Sequence, residues 1–526
     1  MENKTDDRFG MPAEFTLTPE ASRIRVKFFE KNVSNELSSD YTLPDYLPEI
    51  RKILGIYPKI SPISRYIGNS VEFSGRVDYD LLYCDAEAKL TSVPLGEDFT
   101  FEVEPEVPNG IEWSNSGEAY ADISADTTYV RATAPRKVNV KCRLHALIRA
   151  YGYDDTTADI GRTAGAEMLK VGTECAELYR SMSEVVELSD ELDVGSTAEL
   201  RYIGSNGNVN ITEVTHNETR LNCRGEVITE TLTENKETGE INSITKKLPF
   251  SQNIELPSDV SGKQIYPCVR GKCSEIKISD GEDKYLIDTE VILEADTVAS
   301  LPIELTTDIF VPGTDSTTSY RDCKYESLLK SGNAGVSLSQ SMPLSELSLS
   351  EGSEILCKNA VIRTDGVGTS QNGNGTAING SVKLKIISKC GEEFSSGETS
   401  IPFSAEIGKD FGGKKLSLSS YPTLSDLRIR TDGEKATVEG NISLAYILTS
   451  EENIRIADGV TVAEESGDKR AEKSSGITIY YPENGETLWN IAKKFGTSPR
   501  SVAQINDLPS ANGNNTVSGK RFLMIY

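Results

Sequence analysis

The chain has 526 residues, enough for three or four domains that each bury a core, and at 37% hydrophobic and 26% charged it reads as a globular protein. Asp and Glu number 81 against 55 Lys and Arg, a formal charge of −26, which disfavours general nucleic-acid binding. The histidines are 2 in number, His145 and His216, and no GxxxxGKS, GxxxxGKT or GxSxG run occurs, so histidine-rich metal centres, phosphate loops and the nucleophile elbow are excluded. No catalytic residue, metal or cofactor is assigned, and the expected class is non-enzymatic.

In chain order, residues 1–34 read as an N-terminal extension. Their start, MENKTDDRFGMPAEF, lacks the basic and apolar runs of a signal peptide, and no apolar run anywhere is long enough for a transmembrane segment, so an intracellular protein is expected.

A domain-sized repeat follows. NSVEFSGRVDYDLLYC from Asn69, TRLNCRGEVITETLTEN from Thr219 and TAINGSVKLKIISKC from Thr376 each give a short strand, a glycine and a second alternating run. Each then passes through a polar turn into a strand with a Pro/Phe segment. The glycines are Gly75, Gly225 and Gly380, and a glycine inside a strand marks a bulge or a close backbone approach. Pro94, Pro249 and Pro402 suit edge strands. Behind them KVNVKCRLHALIRAY, KYLIDTEVILEADTV and KATVEGNISLAYILT alternate as half-buried antiparallel strands do. The expected fold is therefore mainly β, with three tandem β-rich repeat domains over 35–165, 166–300 and 301–449. Nine cysteines are scattered singly apart from CVRGKC at Cys268 and Cys273, and they read as reduced thiols in strands.

From Ser450 to Gly476 the chain becomes charged and loses apolar period, which predicts a flexible linker over 450–476. The remaining residues, 477–526, differ in charge as well as in pattern. Lys493, Lys494, Arg500, Lys520 and Arg521 stand against Glu483, Glu486 and Asp507, a net of about plus two on a chain that is otherwise strongly acidic.

ITIYY places Ile477, Ile479 and Tyr481 on one face of a strand, and PENG turns it. Thr487 is the expected cap of a helix whose Leu488, Ile491, Ala492 and Phe495 share one face, and Gly496 ends it. Ser498 and Pro499 start a second helix with Val502 and Ile505 inward. RFLMIY closes the module as a strand, giving β-α-α-β.

NGETLWNIAKKFG, the helix-ending Asn506 and GKRFLMI closely resemble the LysM domain, over the last fifty or so residues. Glu486 stands where that family commonly has aspartate. The resemblance implies binding of N-acetylglucosamine-containing glycans, chiefly peptidoglycan, through backbone groups in a shallow groove. Carried over by position, that groove has Gly485, Glu486, Thr487 and Leu488 on one side and Asn506, Asp507, Leu508 and Pro509 on the other. Leu488 and Trp489 also suit core positions, and Asn506 a helix cap.

The whole architecture, with TLPDYLPEIRKILGI before the first copy, resembles the spore-coat morphogenetic proteins, whose repeated module is the SPOCS domain. That resemblance implies a scaffold in the mother-cell cytoplasm at the outer forespore surface. Its partners would be spore-coat scaffold proteins and peptidoglycan or its precursors. A wall hydrolase, the other frequent companion of LysM, would need one domain to stand apart, and the three copies carry their carboxylates alike.

Overall fold

The computed structural model describes residues 23–526 except 62–63, 69, 114–117, 157–164, 193–199, 281–283, 371–374, 409–410, 464–475, 509–516 and 518–521. The chain is mainly β. Repeat 1 comprises β1 (Arg23–Thr42), β2 (Lys52–Ile60), β3 (Ser64–Ile67), β4 (Val71–Cys84), β5 (Leu90–Val103), β6 (Ile111–Glu112), β7 (Glu118–Ala134) and β8 (Lys137–Asp155). Repeat 2 comprises β9 (Glu167–Met182), β10 (Val186–Leu192), β11 (Leu200–His216), β12 (Arg220–Asn235), β13 (Ile241–Glu255), β14 (Gln264–Asp280) and β15 (Tyr285–Phe310). Repeat 3 comprises β16 (Ser316–Pro343), β17 (Glu354–Thr369), β18 (Thr376–Cys390), β19 (Glu393–Gly408), β20 (Leu416–Asp432) and β21 (Lys435–Val462).

Every repeat pairs its first strand with its last. The outer sheets are β1-β8-β7, β9/β10-β15-β14 and β16-β21-β20, and the inner sheets are the meanders β2-β4-β5, β11-β12-β13 and β17-β18-β19, all antiparallel. Inner and outer sheets face one another, so alternate residues from both fill a shared core. In repeat 1 that core joins Val77, Tyr79 and Phe101 to Val140, Leu144 and Ile148.

These strands revise the expected boundaries. Residues 23–34 belong to β1, hydrogen-bonded along β8, not to an extension. Residues 301–310 finish β15 of repeat 2, and 450–462 finish β21 of repeat 3 instead of forming a linker. Charges that suggested a linker are held in ion pairs along β21, Glu451 with Lys415 at 2.6 Å and Glu452 with Lys414 at 2.8 Å. Ile456 and Ala457 of the same strand are fully buried. The rest of the expected linker, 464–475, lies outside the described residues.

Two of the repeated glycines, Gly225 and Gly380, mark close approaches. Gly75, Gly225 and Gly380 sit opposite Phe99, Phe250 and Phe403. A Cβ on Gly225 would come 2.3 Å from the Asn210 carbonyl oxygen and 2.7 Å from the Phe250 ring, and one on Gly380 2.3 Å from the Arg363 carbonyl and 2.5 Å from Phe403. Pro94, Pro249 and Pro402 lie on the edge strands β5, β13 and β19, where a missing N–H leaves no ladder bond unmade.

The three repeats close on one another, and a shared irregularity builds the contact. In β2, β11 and β17 one extra residue opposes a single partner residue, and the extra residues are Leu54, Ile203 and Leu356. A bulge re-aims its side chain. All three point into one cluster with Leu82, Leu232 and Ile387, to which every repeat contributes. The outer sheets meet in a second shared cluster that includes Tyr120, Leu178, Cys268 and Tyr421.

Buried charges bridge the same seam. Asp122 of repeat 1 accepts hydrogen bonds from Arg149 of its own repeat at 3.2 Å and from Arg180 and Arg270 of repeat 2 at 3.2 and 2.9 Å. Burial alone would push the Asp122 carboxyl up, but the three guanidinium groups hold it well below the usual carboxylate range. Tyr421 of repeat 3 donates to Asp296 of repeat 2 at 2.7 Å. The nine cysteines lie on strands, as expected, and none is joined to another. Cys268 and Cys273 are five positions apart on β14, so they face opposite sides of the strand and cannot share an ion.

Candidate functional site

The tail is β22 (Thr478–Tyr480), α1 (Leu488–Phe495), α2 (Pro499–Ile505) and β23 (Leu523–Ile525), with β22 antiparallel to β23. Thr487 caps α1 by accepting from the Asn490 N–H at 3.2 Å, and Ser498 caps α2 by accepting from the Ser501 N–H at 3.0 Å. Gly496 ends α1 at φ +61°, a left-handed conformation that costs glycine little. Leu488, Ile491, Ala492, Val502, Leu523 and Ile525 fill the core between helices and sheet.

The alternation of ITIYY is as expected, and the structure adds its direction. Ile477, Ile479 and Tyr481 do share a face, but it points to solvent. Tyr480 is the inward residue of β22, packed edge-on against Phe495 with ring centroids 5.1 Å apart.

The first groove loop turns through Gly485 at φ +88°. Glu486 holds it: its carboxylate accepts from the Tyr480 hydroxyl at 2.9 Å and from the Glu483 N–H at 3.1 Å. The Glu486 side chain thus orders the loop, while Thr487 does the helix capping. The Glu486 carbonyl accepts from the Val517 N–H at 3.0 Å, which ties the first loop to the connection after α2.

On the far side Asn506 is buried. Its side chain donates to the Val502 carbonyl at 2.9 Å and the Met524 carbonyl at 2.7 Å, and accepts from the Met524 N–H at 2.7 Å, so it fastens α2 to β23. Asp507 follows, exposed, at φ +52°, and Leu508 turns back to donate its N–H to Ala503. Pro509 lies outside the described residues.

Of the carried-over positions, then, Gly485, Glu486, Thr487, Asp507 and Leu508 stand at the surface or partly exposed. Leu488 and Asn506 are internal supports, at 3% and 7% exposure.

Sequence reasoning missed where the tail is attached. Trp489 is as buried as Leu488. Its indole N–H donates to Asp308 of β15 at 2.7 Å, and its ring meets Phe310 edge-on at 4.9 Å. Lys493 reaches the same carboxylate at 2.7 Å, and the Gly313 N–H donates to the Gly496 carbonyl at 2.8 Å. Among the described residues, the hydrogen bonds from the tail to repeat 2 come from the α1 side, away from Gly485 and Asp507. A lone Trp in a helix gives no hint of a partner far back in the chain.

The profile of the LysM domain family matches residues 483–512, the stretch that contains both loops. Comparison with curated proteins and with solved structures finds no match to the chain. No helix among the described residues is long and apolar enough to cross a membrane.

Proposed function

We propose that this chain is a non-enzymatic binding protein whose LysM tail holds N-acetylglucosamine-containing glycan, with peptidoglycan as the leading ligand. The observation that carries this reading is the attachment of the tail: α1 is pinned to repeat 2 through Trp489, Lys493 and Phe310, while the loops at Gly485–Thr487 and Asp507 stay on other faces. A groove held on a preformed body loses little freedom on binding.

The test is co-sedimentation of the full chain with purified peptidoglycan, beside a chain lacking 477–526. The full chain is expected in the pellet and the shortened one in the supernatant. Equal sedimentation of both overturns the reading, because binding then belongs to the repeats.

A second reading keeps the acidic body in view. Three repeats closed into one unit with a large negative charge suit protein assembly, and TLPDYLPEIRKILGI supports a spore-coat scaffold at the outer forespore surface of the mother cell. Capture from sporulating cells on the full chain should then recover coat proteins and lose them when 477–526 is removed.

A further inference from the structure

Where the inner sheets of the three repeats meet, a cavity of about 650 Å³ opens. Protein interiors are close-packed, and this volume lies in the range of small-molecule sites, which favour domain junctions. The walls are supplied in parallel by the repeats: Tyr57 from β2, Tyr202 and Asn206 from β11, Asn359 from β17. Its floor is the shared apolar cluster, including Leu82, Ile203, Leu232 and Cys357. Bulges in β7 and β14 place Asp126 and Ser274 on the wall. Tyr129 and Val361, 69% and 57% exposed, mark the side open to solvent.

The three lysines in the wall are already paired with carboxylates. Lys59 pairs with Asp80 at 2.7 Å, and Lys385 with Glu398 at 3.6 Å while lying 5.4 Å above the Tyr57 ring. Lys383 donates to the Asp126 carbonyl at 2.8 Å, and the Asp126 carboxylate pairs with Arg363 at 2.7 Å. An anionic ligand would have to displace a carboxylate from each lysine, and a cationic one would meet those lysines. Hydroxyl and amide groups line the cavity beside the tyrosine faces: Asn208, Thr127 and Asn359, with Ser205 bonded to Thr231 at 2.9 Å and Asn206 to the Cys357 sulfur at 3.9 Å. Glu230 adds a carboxyl that burial pushes up and that accepts from the Ser243 hydroxyl at 3.0 Å.

We infer that the central cavity is a second binding site, for a neutral polyhydroxylated molecule of disaccharide size. Amides and hydroxyls would take the ring hydroxyls in pairs, and Tyr202 and Tyr57 would face the apolar sides of the sugar rings. The site is built by the repeats alone and does not depend on the glycan reading of the tail.

The test titrates the full chain, by calorimetry, with maltose, cellobiose and trehalose, which lack N-acetyl groups, and with glucose 1-phosphate and spermidine as charged probes. At least one neutral disaccharide is expected to saturate a single site. Val361→Trp, at an exposed wall position that tolerates a large side chain, and Tyr202→Ala are each expected to weaken it tenfold or more. Thr487→Ala in the tail should leave it unchanged. Circular dichroism of each variant confirms that it is folded. The inference is overturned if no neutral disaccharide saturates, if only a charged probe binds, if both cavity variants bind as the parent does, or if Thr487→Ala abolishes binding.

Discussion

The indole N–H of Trp489 donates to the carboxylate of Asp308, 181 residues earlier, at 2.7 Å, and this bond fixes the tail to repeat 2. Burial pushes the Asp308 carboxyl up, but hydrogen bonds from Lys493, Trp489 and Tyr320 outweigh it and hold the group below its ordinary value. Its contribution is then full above the unfolded carboxylate value of about 3.9 and is lost as pH falls through the lower folded value. Asp308→Ala is expected to speed amide exchange across 488–505 while leaving exchange in β4, β12 and β18 unchanged. The parent should show the same loosening below about pH 4. Unaltered exchange in the variant would show that Phe310 and the Gly313–Gly496 bond suffice.

Trp489 can be dissected further. Trp489→Phe keeps the ring contact with Phe310 but leaves Asp308 short of one donor, an effect of about 1–2 kcal/mol because Lys493 still holds the carboxylate. Trp489→Ala also opens a cavity and should destabilise the tail by about 3–5 kcal/mol. Denaturation followed by tail-specific exchange separates the two, and equal effects of the substitutions would show that the ring contributes nothing.

Gly380→Ala is expected to destabilise repeat 3 by roughly 1–3 kcal/mol, since the new methyl would collide with the Arg363 carbonyl and the Phe403 ring. The change acts on a backbone atom that cannot swing aside. An alanine variant with an unchanged melting temperature would contradict the close approach.

Asp122→Asn removes a carboxylate that, among the described residues, pairs with Arg149, Arg180 and Arg270 together across the seam between repeats 1 and 2. Breaking a fully buried pair has an effect of about 3–5 kcal/mol, and part of this carboxylate reaches solvent, so about 2–3 kcal/mol is expected. Calorimetry should also show the single unfolding transition broadening or splitting as repeat 1 uncouples. A sharp transition at the parent temperature would mean that the apolar clusters alone hold the seam.

The repeat is visible in the sequence because Gly75, Gly225 and Gly380 each sit opposite a phenylalanine, with a steric demand at Gly225 and Gly380, and the β-α-α-β tail because caps and helical period are local signals. The closing strands were harder to see. Residues 450–462 hide a strand because their charges, Glu451 and Glu452 among them, are held in ion pairs, and residues 23–34 of β1 read as an extension because that stretch of the strand is nearly as polar. Leu54, Ile203 and Leu356 could not be assigned to the seam from period alone, since a bulge is a break in the period. In the groove, Thr487 and Gly485 were legible through capping and turn chemistry. Leu488 and Asn506 were placed at its edge, but burial makes them its supports, and the docking of Trp489 depends on a contact with no local trace.

The most direct measurement is hydrogen exchange of the full chain with and without the N-acetylglucosamine tetramer. Glycan held between the two loops should slow exchange at 483–488 and 506–508 and leave the Trp489–Asp308 attachment and the repeats unchanged. Unchanged exchange in both loops at a saturating concentration, or slowing confined to the repeats, would contradict the assignment of this tail as the glycan site.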